Sequence, residues 1–161
     1  MLYTTQIESP VGVLTLASDG ENITGLWLEG QKYFMAKVAE STPADLPIFN
    51  RAATWLQAYF LGVDPVPTPA LKPQGTAFQQ RVWQALTEIS YGETTTYGAL
   101  AEKLGVRSAR AVGSAVGRNP ISILIPCHRV LGGNGKLTGY AGGIERKKFL
   151  LELEQRKTVL R

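Results

Sequence analysis

Residues 125–130 read Ile125-Pro126-Cys127-His128-Arg129-Val130 and place side by side the only cysteine and the only histidine of a 161-residue chain. One cysteine cannot close an internal disulfide, and one cysteine with one histidine cannot supply the four ligands of a structural zinc site. Cys127 is therefore either an inert core residue, since free cysteine packs like a small hydrophobe, or a nucleophile. As a nucleophile it needs a base, because a thiol with a pKa of about 8.5 is only slightly ionised at neutral pH. Neighbours on an extended strand diverge, so His128 serves Cys127 only if the chain turns there or a water bridges the two. Pro126 gives a reason for the turn. The imidazole in turn needs a carboxylate to fix its tautomer, and Glu145, Glu152 and Glu154 stand downstream.

Immediately upstream, residues 121–125 form an apolar run that reads as a short strand ended by Pro126. Before it, Tyr97 to Leu104 predicts a short helix closed by Gly105, and Ser108 caps a second helix over ARAVGSAVGRN that Pro120 stops. Helix, glycine-containing turn and helix is the helix-turn-helix pattern. The second helix is lined by Ala109, Ala111, Gly113, Ser114, Ala115 and Gly117, with Arg110 and Arg118 as its long side chains, so it can approach another backbone closely. Further back, Thr76 and Gln79 make a capping-box pattern ahead of a helix with Phe78, Val82, Ala85, Leu86 and Ile89 on its core stripe, ended by the Tyr91-Gly92-Glu93 turn.

Downstream, residues 132–143 carry six glycines in twelve and read either as a loop whose backbone comes close to a ligand or as a merely flexible one. The last helix, IERKKFLLELE, packs Ile144, Phe149, Leu150 and Leu153, sets Arg146, Lys147 and Lys148 on its exposed side and ends near Glu154. Residues 155–161, QRKTVLR, then read as a flexible basic tail.

The first half has a different character. TTQIE, VLTLA and ITGLWLE, separated by turns at Ser9–Gly12 and Asp19–Asn22, predict an antiparallel meander of about three strands. Residues 45–62 place Phe49, Ala52, Ala53, Leu56, Tyr59 and Phe60 on one helical face, which covers one side of that sheet. Residues 63–74 hold Pro65, Pro67, Pro69 and Pro73 and make a semi-rigid connector. The expected architecture is α/β in the α+β sense. Residues 1–74 form a small N-terminal sheet-and-helix domain with that linker, and residues 75–161 a mainly helical domain with a winged-helix-like helix-turn-helix, a pattern that many helical hairpins share without binding DNA.

Charge follows the same division. Residues 1–74 carry four Lys/Arg against seven Asp/Glu, whereas residues 75–161 carry 13 against six, so the second half is either where a polyanion would bind or a solvated charged surface. The N-terminus has no basic region ahead of an apolar core, and no apolar run approaches the roughly 18 residues of a membrane span. The expectation is a soluble cytoplasmic protein.

IPCHRV, preceded by Asn119-Pro120 and followed by the GxLxGYxGG pattern of Gly135 to Gly143 and a helix ending in Leu-Glu, resembles the O6-alkylguanine-DNA alkyltransferases, the methylated-DNA-protein-cysteine methyltransferases. The resemblance spans about Thr76 to Glu154 and, more weakly, the SPVGVLTLAS region. It implies that Cys127 accepts the alkyl group from O6 of guanine once and irreversibly, as a thiolate activated through His128 and a water, with Glu154 on the far side of the imidazole. It implies that Asn119 braces the turn after the recognition helix and that Tyr97 donates a hydrogen bond to the departing guanine. The backbone around Val130 and the Tyr140-Ala141 loop would close the pocket; some relatives carry Ser at position 141. Arg110 would be the wedge that replaces a flipped base, with Ala109, Ala111 and Gly113 letting the helix lie in the minor groove of duplex DNA.

The resemblance implies no cofactor and no metal, and a monomer that could bind cooperatively along DNA. It leaves open alkyl-group size and O4-alkylthymine repair. Besides a cysteine hydrolase, whose base usually comes from a distant segment and not from a histidine next to the cysteine, two other readings are a catalytically silent alkyl-DNA-binding relative, which has Trp in place of the cysteine, and a helix-turn-helix regulator. Cys127 argues against the first, and the absence of a clear polar reading face against the second.

Overall fold

The computed structural model describes residues 2–32, 40–65 and 67–159. Val66 of the expected linker and residues 160–161 of the expected tail lie outside them.

Strands β1 (Tyr3–Ser9), β2 (Gly12–Ser18) and β3 (Ile23–Leu28) form the expected meander. Pro10 and Val11 are the two central residues of the first hairpin, and Asp19 Oδ1 accepts from the Glu21 and Asn22 N–H groups to shape the second turn. A fourth strand, β4 (Thr42–Pro43), pairs parallel with β1, giving the order β3-β2-β1-β4. At two residues, β4 is too short to carry a period a sequence could reveal. Helix α1 (Pro47–Phe60) begins with Pro47 in the first turn, where its missing N–H costs nothing, and packs Ile48, Phe49, Ala52, Leu56 and Tyr59 inward against the sheet.

The second half begins with α2 (Ala77–Thr87), and the capping box is present in both directions between Thr76 and Gln79. Strand β5 (Thr95–Thr96) leads into α3 (Tyr97–Leu104), which Gly105 closes at φ +71°. Ser108 Oγ accepts from Ala111 N–H at the start of α4 (Ala109–Gly117). Beyond the turns at residues 121–129, β6 (Val130–Leu131) pairs parallel with β5, and α5 runs from Ile144 to Val159. The helix-turn-helix is thus formed at the positions the caps predict. Trp83 Nε1 donates to Ala115 O (2.8 Å) and fastens α2 to α4.

Three expectations for this half are corrected. Helix α5 does not end near Glu154: QRKTV contains no breaker, and the helix continues to Val159. Ile144, expected in the core, is 50% exposed. Lys147, expected in water, is 0% exposed, so α5 buries the stripe Lys147, Leu150 and Glu154, spaced i, i+3 and i+7.

The two halves are joined along the outer edge of β3. Ile23 exchanges backbone hydrogen bonds with the linker, accepting from Lys72 N–H and donating to Ala70 O (both 2.8 Å). Leu26 N–H donates to Pro120 O (2.9 Å), and Leu26 O accepts from Ser122 N–H (3.0 Å). An edge that would otherwise offer unpaired backbone groups is covered by the linker and by the segment that leads into Cys127. One continuous apolar cluster includes Leu26, Tyr59, Leu86, Val112 and Leu150.

Candidate active site

Asn119, buried just past α4, donates from Nδ2 to Ile125 O (2.8 Å) and accepts at Oδ1 from Ile121 N–H (3.0 Å). The carboxamide takes the place of a ladder partner, so residues 121–125 form a tight turn and not the strand their apolar run suggests. Inside it, Leu124 N–H donates to Ser122 O across Ile123, which sits at φ +70°. That conformation costs a β-branched residue about 1–3 kcal/mol and survives only where its surroundings impose it. Pro126 (φ −80°, ψ 65°) makes a second sharp turn as Cys127 N–H donates to Ile125 O (2.8 Å). Cys127–Arg129 is then a single 3-10 turn, which sets successive side chains about a third of a turn apart rather than on opposite faces. This is the turn that His128 needs in order to share a site with Cys127.

His128 Nε2 lies 2.6 Å from Glu154 Oε2, and both side chains are buried. Of the three carboxylates the sequence offers, Glu145 and Glu152 are exposed. Glu154 is heavily solvated by the protein itself. Oε1 accepts from Arg129 Nε (2.9 Å) and Gly92 N–H (3.1 Å), and Oε2 accepts from Arg129 Nη2 (3.2 Å) and the Tyr59 hydroxyl (2.5 Å). Burial alone would raise this carboxyl, but the hydrogen bond from His128 and the hydrogen bonds and charge of Arg129 prevail and hold it at about 2. Burial lowers His128 below its ordinary 6.5 despite Glu154, so the imidazole is neutral at pH 7. An ionised Glu154 accepts only, which assigns the proton to Nε2 and the lone pair to Nδ1. Nδ1 is buried with no hydrogen-bond partner among the described residues.

Burial pushes the Cys127 thiol up to about 11, against opposing pulls from Asn119 and the charge of Lys147. Lys147 donates from Nζ to Val130 O (2.6 Å) and Thr138 O (3.4 Å) and sits 6.0 Å from the centre of the Tyr97 ring. Cys127 is at the floor of a cavity of about 380 Å³ lined by Lys32, Tyr97, Gly113, Ser114, Tyr140 and Ala141, among others. Such a volume suits a small ligand or a single base.

Tyr97, Asn119, Tyr140 and Ala141 line the same cavity as Cys127, whereas Val130 is buried off the cavity wall with its carbonyl turned to Lys147. Arg110 and Ala109 are exposed on α4, Ala111 is half-buried, and Gly113 and Ser114 lie three and four residues beyond Arg110. Arg110 thus shares the face of α4 that borders the cavity. Sequence reading missed Tyr59, Arg129, Lys147 and Lys32. The i, i+3, i+7 spacing of Lys147, Leu150 and Glu154 was the available signal for Lys147, and the place of Arg129 within IPCHRV for Arg129; no local pattern marks Tyr59 or Lys32. The described residues contain no cluster of three or more His, Cys, Asp or Glu able to hold a metal, and no helix long and apolar enough to cross a membrane.

A helix-turn-helix beside a cavity that holds one buried cysteine, next in sequence to a carboxylate-held histidine, has the features of a DNA-directed protein with a nucleophilic site. Comparison with known proteins gives the class a family. Residues 77–156 match the family model described as 6-O-methylguanine DNA methyltransferase, DNA binding domain, and residues 1–68 match its ribonuclease-like domain. The chain is 49% identical over 156 residues to a methylated-DNA--protein-cysteine methyltransferase of Haemophilus influenzae, covering 96% of this chain and 87% of that one. The crystal structure of Mycobacterium tuberculosis OGT in complex with DNA superposes with a TM-score of 0.88 at 48% identity, covering 96% of this chain and 94% of that one. An O6-methylguanine-DNA methyltransferase from Pyrococcus kodakaraensis does so at 0.66 and 27% identity, covering 96% and 99%. The chain belongs to the 6-O-methylguanine DNA methyltransferase family.

Proposed function

We propose that this chain repairs DNA by direct reversal, moving the alkyl group from O6 of guanine to Sγ of Cys127. The observation that carries the reading is the neutral imidazole of His128, held at Nε2 by Glu154 beside a buried thiol at the floor of a base-sized cavity. A thiol held at about 11 makes a preformed thiolate cost about 5 kcal/mol at pH 7. The proton therefore leaves Sγ for Nδ1 through a bridging water as the S–C bond forms and the C–O6 bond breaks. Tyr97, on the cavity wall, donates a hydrogen bond that stabilises the negative charge developing on the departing guanine, and the base takes up a proton from water as it leaves, balancing the one passed from Sγ to His128.

A stacked base cannot reach a buried thiol, and an alkylated guanine pairs poorly, so extruding it costs less than extruding an intact one. Arg110 fills the vacated stack while Ala109, Ala111 and Gly113 bring α4 against the minor groove. The +7 balance of residues 75–161 supplies sequence-independent attraction to phosphates. A lone cysteine that must stay reduced is consistent with a cytoplasmic monomer. A thioether product has no exit here, so each molecule acts once and needs no cofactor.

The test is stoichiometry. Duplex containing O6-methylguanine is incubated with increasing protein and its nucleosides are quantified. Restored guanine should rise linearly with protein and stop at one per molecule. Turnover beyond one, or no restored guanine, contradicts the reading.

A further inference from the structure

Tyr59 belongs to the N-terminal half, yet its hydroxyl ends in the site. It is fully buried on α1, stacked on Trp55 (5.5 Å between ring centres) and edge-on to Phe60 (5.3 Å) and Tyr91 (6.0 Å). A phenylalanine would fill that space equally well, so packing does not account for the hydroxyl. Its one short hydrogen bond is to Glu154 Oε2 (2.5 Å), and it lies 3.4 Å from His128 Nε2.

We propose that Tyr59 is a positioning residue for alkyl transfer: its hydroxyl donates to the same carboxylate oxygen that receives His128 Nε2–H, and so limits how tightly Glu154 holds the imidazole. Each donor on Oε2 withdraws charge from it and weakens the others. With Tyr59 present, Glu154 orients His128 without drawing a second proton onto Nδ1, and Nδ1 stays free to receive the one from Cys127. Arg129 from the same turn, Gly92 N–H and Tyr91 from the loop after α2, Tyr140 from the glycine-rich loop and Lys147 from α5 also face the pair; Arg129 and Gly92 reach the carboxylate through N–H groups. Burial, then Glu154, hold the Tyr59 phenol well above its ordinary range, so it remains a donor at every working pH. The inference rests on His128 being the proton acceptor, as proposed above. It gives the N-terminal half a part in the chemistry besides support of the fold.

The test compares wild type with Tyr59→Phe, and with 3-fluorotyrosine incorporated at position 59, whose more acidic phenol is a stronger donor. Alkyl-transfer rates are measured from about pH 5 to 9. In parallel, the single imidazole of the chain is titrated by NMR, which needs no activity. In Tyr59→Phe both the acid limb and the His128 titration should move up by about one pH unit, the effect of losing one hydrogen bond to a charge. With 3-fluorotyrosine both should move down. Unmoved curves in the folded variants overturn the inference while leaving the transfer reading intact. If Tyr59→Phe does not fold, the fluorotyrosine protein decides alone. A wild-type protein that transfers no alkyl group overturns both.

Discussion

Glu154 Oε2 and His128 Nε2 are 2.6 Å apart, although 26 residues separate them in the chain and neither side chain meets solvent. Arg129, next to His128, grips the same carboxylate. Glu154→Ala strands that guanidinium in a buried site, and should destabilise the fold by about 3–5 kcal/mol in urea denaturation. Glu154→Gln keeps the shape but loses the charge that orients and stabilises the imidazole. Its alkyl-transfer rate should fall about 100-fold with the protein still folded, a comparison made by stopped transfer assays and circular dichroism.

Acid should unfold this protein through the same pair. Glu154 is depressed from 4.5 to about 2, so its contribution is complete above pH 4.5 and is lost as pH falls toward 2. His128 is also depressed, so the unfolded chain takes up a proton at about 6.5 that the folded chain refuses, and stability is lost from there downward. The two add with the same sign. Urea midpoints should fall continuously from pH 7 to 4, and a flat profile would contradict the assignment of a neutral, buried imidazole.

The residues that carry local signals were legible in the sequence. Thr76 with Gln79, Ser108, and Gly105 each mark a helix boundary by chemistry confined to one turn, and all three are realised. Cys127, His128 and Asn119 were singled out through the resemblance; the structure places Cys127 on the cavity, Asn119 under the turn before it and His128 against Glu154. What could not be read depends on distant partners. The apolar run at 121–125 looks like a strand until Asn119 takes its backbone groups. Tyr59 looks like one more apolar contact on α1 until its hydroxyl meets a carboxylate 95 residues away. Lys147, within Arg146-Lys147-Lys148, looks solvated until Val130 O receives its ammonium.

The thiol should be slow toward simple reagents. Held at about 11 and buried, Cys127 is almost wholly protonated at neutral pH before substrate arrives. Alkylation by iodoacetamide, followed by mass spectrometry, should keep accelerating beyond pH 9 in the folded protein. A plateau below about pH 8 would show a preformed thiolate instead.

Arg110 is exposed on the face of α4 that borders the cavity, and it has no part in the thiol's surroundings. Arg110→Ala should impair repair within duplex DNA at least about tenfold, the order expected when base extrusion loses its filler. Reaction with free O6-benzylguanine should be nearly unchanged. Equal losses on both substrates would remove the wedge role.

The central claim is that Cys127 itself keeps the alkyl group. Intact-protein mass spectrometry after incubation with an O6-methylguanine duplex tests it most directly. One added methyl, localised to Cys127 by peptide fragmentation and missing from Cys127→Ala, is the predicted result; an unchanged mass, or a methyl on any other residue, would contradict it.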